Sequence, residues 1–336
     1  MKAVEIRGGF GLDRLALVER PEPAAGPGQV LLRMRAASLN YRDLLTVRGQ
    51  YNPKQRLPLI PCSDGVGEVA AVGAGVTRVK VGERVIPAFA QRWIAGAPTR
   101  DKLRSTLGGP DDGTLAEYMV LHEDGVVHAP EHMSDVEAAT LPCSGLTAWN
   151  ALVGEGPLVA GSTVLVQGTG GVSVFALQIA HLAGARVIVT SSSDDKLQRA
   201  RELGAWETIH YRRVPEWGVE ARRLTGGAGV DIVVDVGGAE TLGQSLAAVA
   251  FGGQVSLVGN LTGGASQVDV VPIFMRRVRL QGILVGHRES LEAFNRAAAA
   301  GGLRPVVDRV FPLADIRAAL EHMSTGVHFG KICIGF

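Results

Sequence analysis

The stretch Gly168-Thr169-Gly170-Gly171-Val172-Ser173 holds the residues of this chain best suited to ligand chemistry. It follows the β-branched run Val164-Leu165-Val166 and opens an amphipathic segment that runs on to Ala180. Strand, glycine turn and helix in that order are the pattern of a dinucleotide-binding βαβ unit. A pyrophosphate needs bare backbone N–H groups at a helix N-terminus, and glycines let it come close. Gly168 and Gly170 fit the first two glycines of G-x-G-x-x-G; the third place is Ser173, small enough for close helix–strand packing. A plain structural turn is the alternative.

The next strand bears on which dinucleotide. It ends Val189-Thr190-Ser191-Ser192-Ser193, with Ser191 where a ribose-binding Asp or Glu would stand. A carboxylate there would repel a 2′-phosphate, whereas hydroxyls can donate to one. Lys196 follows one helix turn later, and Tyr211 and Arg212 close the third strand. NADPH is favoured over NADH; the alternative is that Lys196 and Arg212 are ordinary solvated charges. Gly237, Gly259 and Asn260 fall at carboxyl ends of later strands, where open parallel sheets hold ligands.

Other chemistries find little support. The three cysteines, Cys62, Cys143 and Cys333, include no C-x-x-C pair, so a disulfide framework is not expected and a reducing cytoplasm is. The eight histidines form no metal-ligand spacing, and no G-x-S-x-G elbow is present. A net charge of +1 speaks against nucleic acid, which demands clustered Lys and Arg. No signal-peptide core and no membrane-length apolar run is seen.

The elements that position these residues follow from period and punctuation. A chain of 336 residues, 46% hydrophobic and 20% charged, has room for two cored domains. The first third reads as short strands (30–36, 67–72, 84–88) between Gly and Pro turns, a small barrel or sandwich. Residues 91–112 break that rhythm as a long loop with one helical turn near Lys102. From 164 onward strands (164–167, 186–190, 208–211, 231–236, 254–259, 279–285) alternate with helices (171–183, 194–203, 216–224, 239–249, 288–300). Such alternation implies a doubly wound parallel sheet covered on both faces. A last strand, 331–334, is expected to rejoin the first domain.

That order, together with several local blocks, resembles the medium-chain dehydrogenase/reductase superfamily over nearly the whole chain. The blocks include Pro27-Gly28-Gln29-Val30, Ala37-Ser38-Leu39-Asn40-Tyr41-Arg42-Asp43, Gly65-Val66-Gly67-Glu68-Val69 and Val79-Lys80-Val81-Gly82-Glu83-Arg84-Val85. Leu146-Thr147-Ala148-Trp149 and His328-Phe329-Gly330-Lys331 complete the set. Within the superfamily the chain is similar to the zinc-free quinone oxidoreductase-like branch. The resemblance implies a GroES-like β-barrel catalytic domain (1–144 and 287–336) and a Rossmann dinucleotide-binding domain (145–286). It also implies nicotinamide contact at Thr147, 2′-phosphate contact at Lys196 and Tyr211, and a phosphate or loop contact at Lys331.

Zinc-dependent members of the resembling family use Cys, His and a second Cys with a nearby acid. This chain has Asn40, Ser63 and Cys143 at the matching places, with Asp64 as the acid. The structural-zinc loop, here 91–112, has no cysteine. A catalytic zinc needs about three protein ligands, so no metal is expected. Without a Lewis acid, hydride addition to an already conjugated acceptor is the easier reaction, and a quinone or α,β-unsaturated carbonyl is the expected substrate. Asn40 is the first choice to hydrogen-bond the developing oxyanion, and Tyr41 and Tyr51 are candidates for substrate contact or proton delivery. Arg42 stands where alcohol dehydrogenases carry a proton-relaying hydroxyl. The alternatives are an NAD(P)-dependent alcohol dehydrogenase and, outside enzymes, an NADPH-binding sensor or RNA-binding relative. A homodimer joined through strand 279–285 is expected by resemblance.

Overall fold

The computed structural model describes residues 1–265 and 267–336. It divides into two compact units, Met1–Leu146 with Gly286–Phe336, and Thr147–Val285. These limits differ by one or two residues from those read in the sequence.

The continuous unit is a six-stranded sheet whose neighbouring strands all run parallel. Its spatial order is Glu207–His210, Arg186–Ser191, Thr163–Gln167, Val230–Asp235, Val249–Leu257, Arg279–Gly282. The chain order therefore reverses at Thr163–Gln167, the switch point where doubly wound sheets bind ligands. Thr163–Gln167 is buried throughout because both of its faces are covered. Leu165, Ile188, Ile209, Val233 and Val255 form one buried layer across the sheet, joined by Trp217 and Leu246 from the covering helices. Each fully buried side chain of that size contributes about 2 kcal/mol of hydrophobic stabilisation. The helices of this unit include Gly171–Leu182, Asp194–Glu202, Trp217–Leu224 and Leu242–Ala248. The last begins three residues later than the pattern implied, because Asp235 binds the N–H groups of Gly237 and Gly238 and holds that segment as a turn. Strand 279–285 likewise stops at Gly282.

The discontinuous unit is built on the long strand Gln29–Leu39. Asp64–Val72 pairs along one edge of it. Tyr118–His122 and Lys331–Gly335 share the other edge, the first beside Gln29–Arg33 and the second beside Ala36–Leu39. Register shifts at Leu31/Leu32 and Met34/Ala36 bend this strand so that its two ends serve different partners. Arg84–Pro87, Val126–His128 and Val307–Pro312 extend the sheet, and the hairpin Lys2–Ile6/Leu15–Glu19 lies apart from it. The expected return of the C-terminal strand is present: Ile332 faces Leu39, and Cys333 faces Ser38. The loop 91–112 carries one helical turn, Arg100–Leu103, capped by the Thr99 hydroxyl.

Candidate active site

In the discontinuous unit the end of Gln29–Leu39 delivers Asn40 as the N-cap of the helix Tyr41–Val47. Asp43 closes a capping box, its Oδ2 accepting the Asn40 N–H at 2.7 Å. Asn40 is therefore held by both its backbone and its side chain.

The side-chain network centres on Lys331, which is only 3% exposed. Its Nζ donates to Leu39 O at 2.7 Å, Asn40 Oδ1 at 2.6 Å and Ser144 Oγ at 3.1 Å. The Ser144 hydroxyl in turn donates to Asn40 Oδ1 at 2.8 Å. An ammonium has three donors and no acceptor, so these bonds use it fully. They also fix the Asn40 carboxamide, because only its oxygen can face a cation. Lys331 was expected at a phosphate or loop contact; the three protons of its ammonium go to Leu39 O, Asn40 Oδ1 and Ser144 Oγ.

Asp64 lies beside this network. Its Oδ1 accepts the Ser63 hydroxyl at 2.8 Å and its Oδ2 the Cys143 N–H at 3.2 Å. Burial pushes its carboxyl up to about 6, although the Lys331 charge and a hydrogen bond from Asn40 pull it down. Burial also raises the Asp43 carboxyl against the nearby Arg42. The Cys143 thiol is pushed far above the ordinary thiol range, by burial first and then by Asp64, so it is a neutral thiol near pH 7. Cys62, buried at φ 76°, sits in the left-handed region that few side chains adopt, and its strained backbone leads directly into Ser63 and Asp64.

As a zinc site this set fits poorly. Asn40 Oδ1 already takes two donors, and a fixed cation stands against Asn40. Among the described residues no group of three or more His, Cys, Asp or Glu could hold a metal ion.

Tyr41 and Tyr51 are both part-exposed, at 41% and 51%. The Arg42 guanidinium packs 5.0 Å from the ring centre of Tyr51 and 5.0 Å from that of Phe89. It donates to Leu107 O at 2.9 Å and to Gly109 O at 3.2 Å, tying the long loop to the helix that Asn40 starts. Trp93 is buried, edge-on to His287, with its indole N–H on Gly96 O.

In the continuous unit, Gly168 has φ 71°, which a side chain would strain. Gly170 is different: its φ is −76°, and a Cβ there would meet nothing within 4 Å. No internal contact requires a glycine at 170, and the space above it is open. The helix it caps, Gly171–Leu182, starts without a side-chain cap hydrogen bond, so it can offer free N–H groups to an anion. Ser173 replaces the third glycine without loss, donating to Gln167 O at 2.7 Å from a buried position. Thr169 is buried, and Val172 lies in the first turn of the same helix.

Register brings the adenine-end residues together. Gln167 pairs with Thr190 and His210 with Ser191, so Gly168, Ser191, Ser192 and Tyr211 line one carboxyl edge. Ser193 caps the helix that carries Lys196. Gly237 donates its N–H to both Gln167 Oε1 and Asp235 Oδ1, and the turn at Gly259 and Asn260 packs beside it. Thr147 is buried in a short α-helical turn flanked by π-type turns at Leu141–Gly145 and Asn150–Gly154. These residues fit a phosphorylated dinucleotide: open glycine, uncapped helix, and hydroxyls where a carboxylate would repel.

Sequence reasoning missed Ser144 and the true partners of Lys331. The available signal was a lone cation at the head of the buried strand Lys331–Gly335, since a lysine in such a place must find oxygens.

The two units are those of an oxidoreductase with a GroES-like domain and a Rossmann-type cofactor domain. An alcohol dehydrogenase GroES-like domain family matches residues 26–131 and a zinc-binding dehydrogenase family matches residues 171–300. The chain is 41% identical to a zinc-type alcohol dehydrogenase-like protein of Schizosaccharomyces pombe, over 96% of each. The structure of a putative alcohol dehydrogenase from Sinorhizobium meliloti 1021 superposes with TM-score 0.92 at 43% identity, covering 100% of this chain and 99% of that one. A crotonyl-CoA carboxylase/reductase solved in complex with NADP superposes with TM-score 0.86 at 25% identity, over 100% and 94%. The chain belongs to the medium-chain dehydrogenase/reductase superfamily.

Proposed function

We propose that this protein is an NADPH-dependent reductase of quinones or α,β-unsaturated carbonyl compounds that works without zinc. The observation that carries this reading is the Lys331–Asn40–Ser144 network, which gives the family's metal-ligand positions a hydrogen-bonded amide in place of a ligand set. When bound, NADPH supplies the hydride that adds to the conjugated acceptor. The chain's own residues must hold the acceptor and stabilise charge on its oxygen. Asn40 suits this: its Oδ1 is occupied, one Nδ2 proton goes to the Asp64 carboxyl, and the other reaches only Ser38 O at 3.5 Å, too long to be a strong bond. An acceptor oxygen can take that loosely held proton as its negative charge grows. The part-exposed phenols of Tyr41 and Tyr51, or water, can supply the final proton.

Gly168, Thr169, Gly170, Gly171 and Val172 are the residues assigned to the pyrophosphate, and Ser191, Ser192, Lys196 and Tyr211 to the 2′-phosphate. Thr147, Gly237, Gly259 and Asn260 are assigned to the nicotinamide half. The NADP-bound crotonyl-CoA carboxylase/reductase supports both the cofactor and the conjugated class of acceptor. The identity to a zinc-type alcohol dehydrogenase-like protein favours the second reading, alcohol oxidation. We also propose a homodimer. Arg279–Gly282 is an edge strand with Leu280 part-exposed, and Phe251, Phe274 and Met275 are exposed in the same unit.

The test is turnover of the purified protein with NADPH and NADH across quinones, enones, enoyl thioesters and primary alcohols, beside elemental analysis. Reduction of a conjugated acceptor that survives chelation is expected. A stoichiometric zinc requirement with preference for alcohols would establish the second reading instead.

A further inference from the structure

We propose that Lys331 is a positioning residue for hydride transfer: its buried ammonium locks the Asn40 carboxamide so that only the N–H edge can face an acceptor. This deepens the preceding section and rests on its assignment of Asn40 as the donor to the acceptor's oxygen.

The argument is one of donor and acceptor count. A carboxamide can turn by half a rotation and present either edge at almost no steric cost. An edge that presents oxygen to a forming enolate would repel it. At Asn40 that rotation is blocked twice. Lys331 Nζ at 2.6 Å and Ser144 Oγ at 2.8 Å both donate to Oδ1, and Ser144 Oγ also accepts from Lys331 at 3.1 Å. The three groups close a ring whose direction is set by the ammonium, because it alone cannot accept. Leu39 O, taking the third ammonium proton at 2.7 Å, anchors the ring to the residue before Asn40. The backbone of Asn40 is fixed separately through Asp43. Removing Lys331 would therefore loosen the amide edge, leaving Ser144 and Asp64 as its remaining restraints, without freeing the main chain.

A second consequence concerns charge. The Lys331 charge pulls down the Asp64 carboxyl, which is buried beside the same amide, while Asp43 acts on it in the opposite sense. The positive charge keeps the surroundings of Asn40 receptive to an oxyanion, as oriented charge in a buried site does in general.

The test is a double-mutant cycle on the full-length protein. Single-turnover NADPH oxidation by an enone is measured for the wild type, K331M, K331R, N40A and the N40A/K331M pair, with NADPH affinity read by fluorescence. We expect K331M to slow hydride transfer about tenfold to a hundredfold, short of the roughly hundredfold to thousandfold cost of losing one oriented donor outright. NADPH affinity stays within about twofold, because the residues that the Lys331 ammonium bonds, Leu39, Asn40 and Ser144, belong to the discontinuous unit. K331R keeps part of the rate by keeping the charge. In the N40A background K331M slows the step no further. Equal slowing in both backgrounds, or wild-type rate in K331M, would overturn the proposal. Should K331M fail to fold, K331Q, which keeps a donor and loses the charge, takes its place in the cycle under the same criteria. If the wild type reduces no conjugated acceptor, the reading of function falls by itself. Lys331 is then judged by proton exchange at Asn40 Nδ2, assigned by its loss in N40D; exchange unchanged in the lysine variant sinks the proposal.

Discussion

Around Asn40, polar side chains satisfy one another: one amide oxygen takes two hydrogen bonds and one ammonium gives three. Along the carboxyl edge of the parallel sheet the reverse holds. Gly170 opens onto empty space, and the helix behind it begins without a side-chain cap. The contrast extends to the glycines. In the barrel unit a Cβ at Gly113 would come within 2.0 Å of Cys62 O and 2.4 Å of Pro61 O, so that glycine is demanded by packing. At Gly170 packing demands nothing. On the proposed function, the open space at Gly170 is where the dinucleotide's pyrophosphate would pass.

Substituting each glycine is the strongest way to break this comparison. G113A forces the strained Pro61–Cys62 turn to move and is expected to cost about 3 kcal/mol or more of stability, read as a lower urea midpoint. G170V fits the backbone and should leave that midpoint nearly unchanged. NADPH affinity should nonetheless fall about a hundredfold, close to 3 kcal/mol, measured by fluorescence titration. A G170V protein that binds normally would remove the distinction between the two units.

The acid beside the barrel network sharpens it further. The ordinary aspartate value is 3.8, and Asp64 in the fold stands at about 6. Between those values the native state binds the extra proton, so this carboxyl favours folding below about pH 4 and that contribution is lost as pH rises through 6. D64N lacks the titration. The stability of wild type minus D64N should therefore fall by ~2 kcal/mol from pH 4 to pH 7, followed by denaturant titration across that range. A flat difference would mean that Lys331 compensates Asp64 fully. The smallest effect concerns cofactor choice: K196A should raise KM for NADPH about tenfold and leave NADH unchanged, in steady-state assays with either cofactor.

The nucleotide unit was legible because its signals are local. Strand, glycine turn and helix follow one another between Thr163 and Leu182, and each strand from there on is punctuated by its own turn. Even the departure at Ser173 reads correctly, since one hydroxyl can bond the Gln167 carbonyl. The barrel unit was legible only in outline. The strands Tyr118–His122 and Val126–His128 are short, and Gln29–Leu39 takes partners from three distant segments. Asn40 was singled out because its place carries the family's motif. The partners of Lys331 were not foreseen because no local pattern reports which oxygens a lysine meets 291 residues away. Ser144 went unnoticed for the same reason.

That separation bears on how the molecule is made. During synthesis the nucleotide unit, an unbroken run, leaves the ribosome entire, while Gln29–Leu39 still waits for a neighbour along half of one edge. Only when Lys331–Gly335 emerges can that neighbour dock, and the same docking brings the cation to Asn40. On the proposed function, a nascent chain could then take up the dinucleotide before Lys331 reaches Asn40.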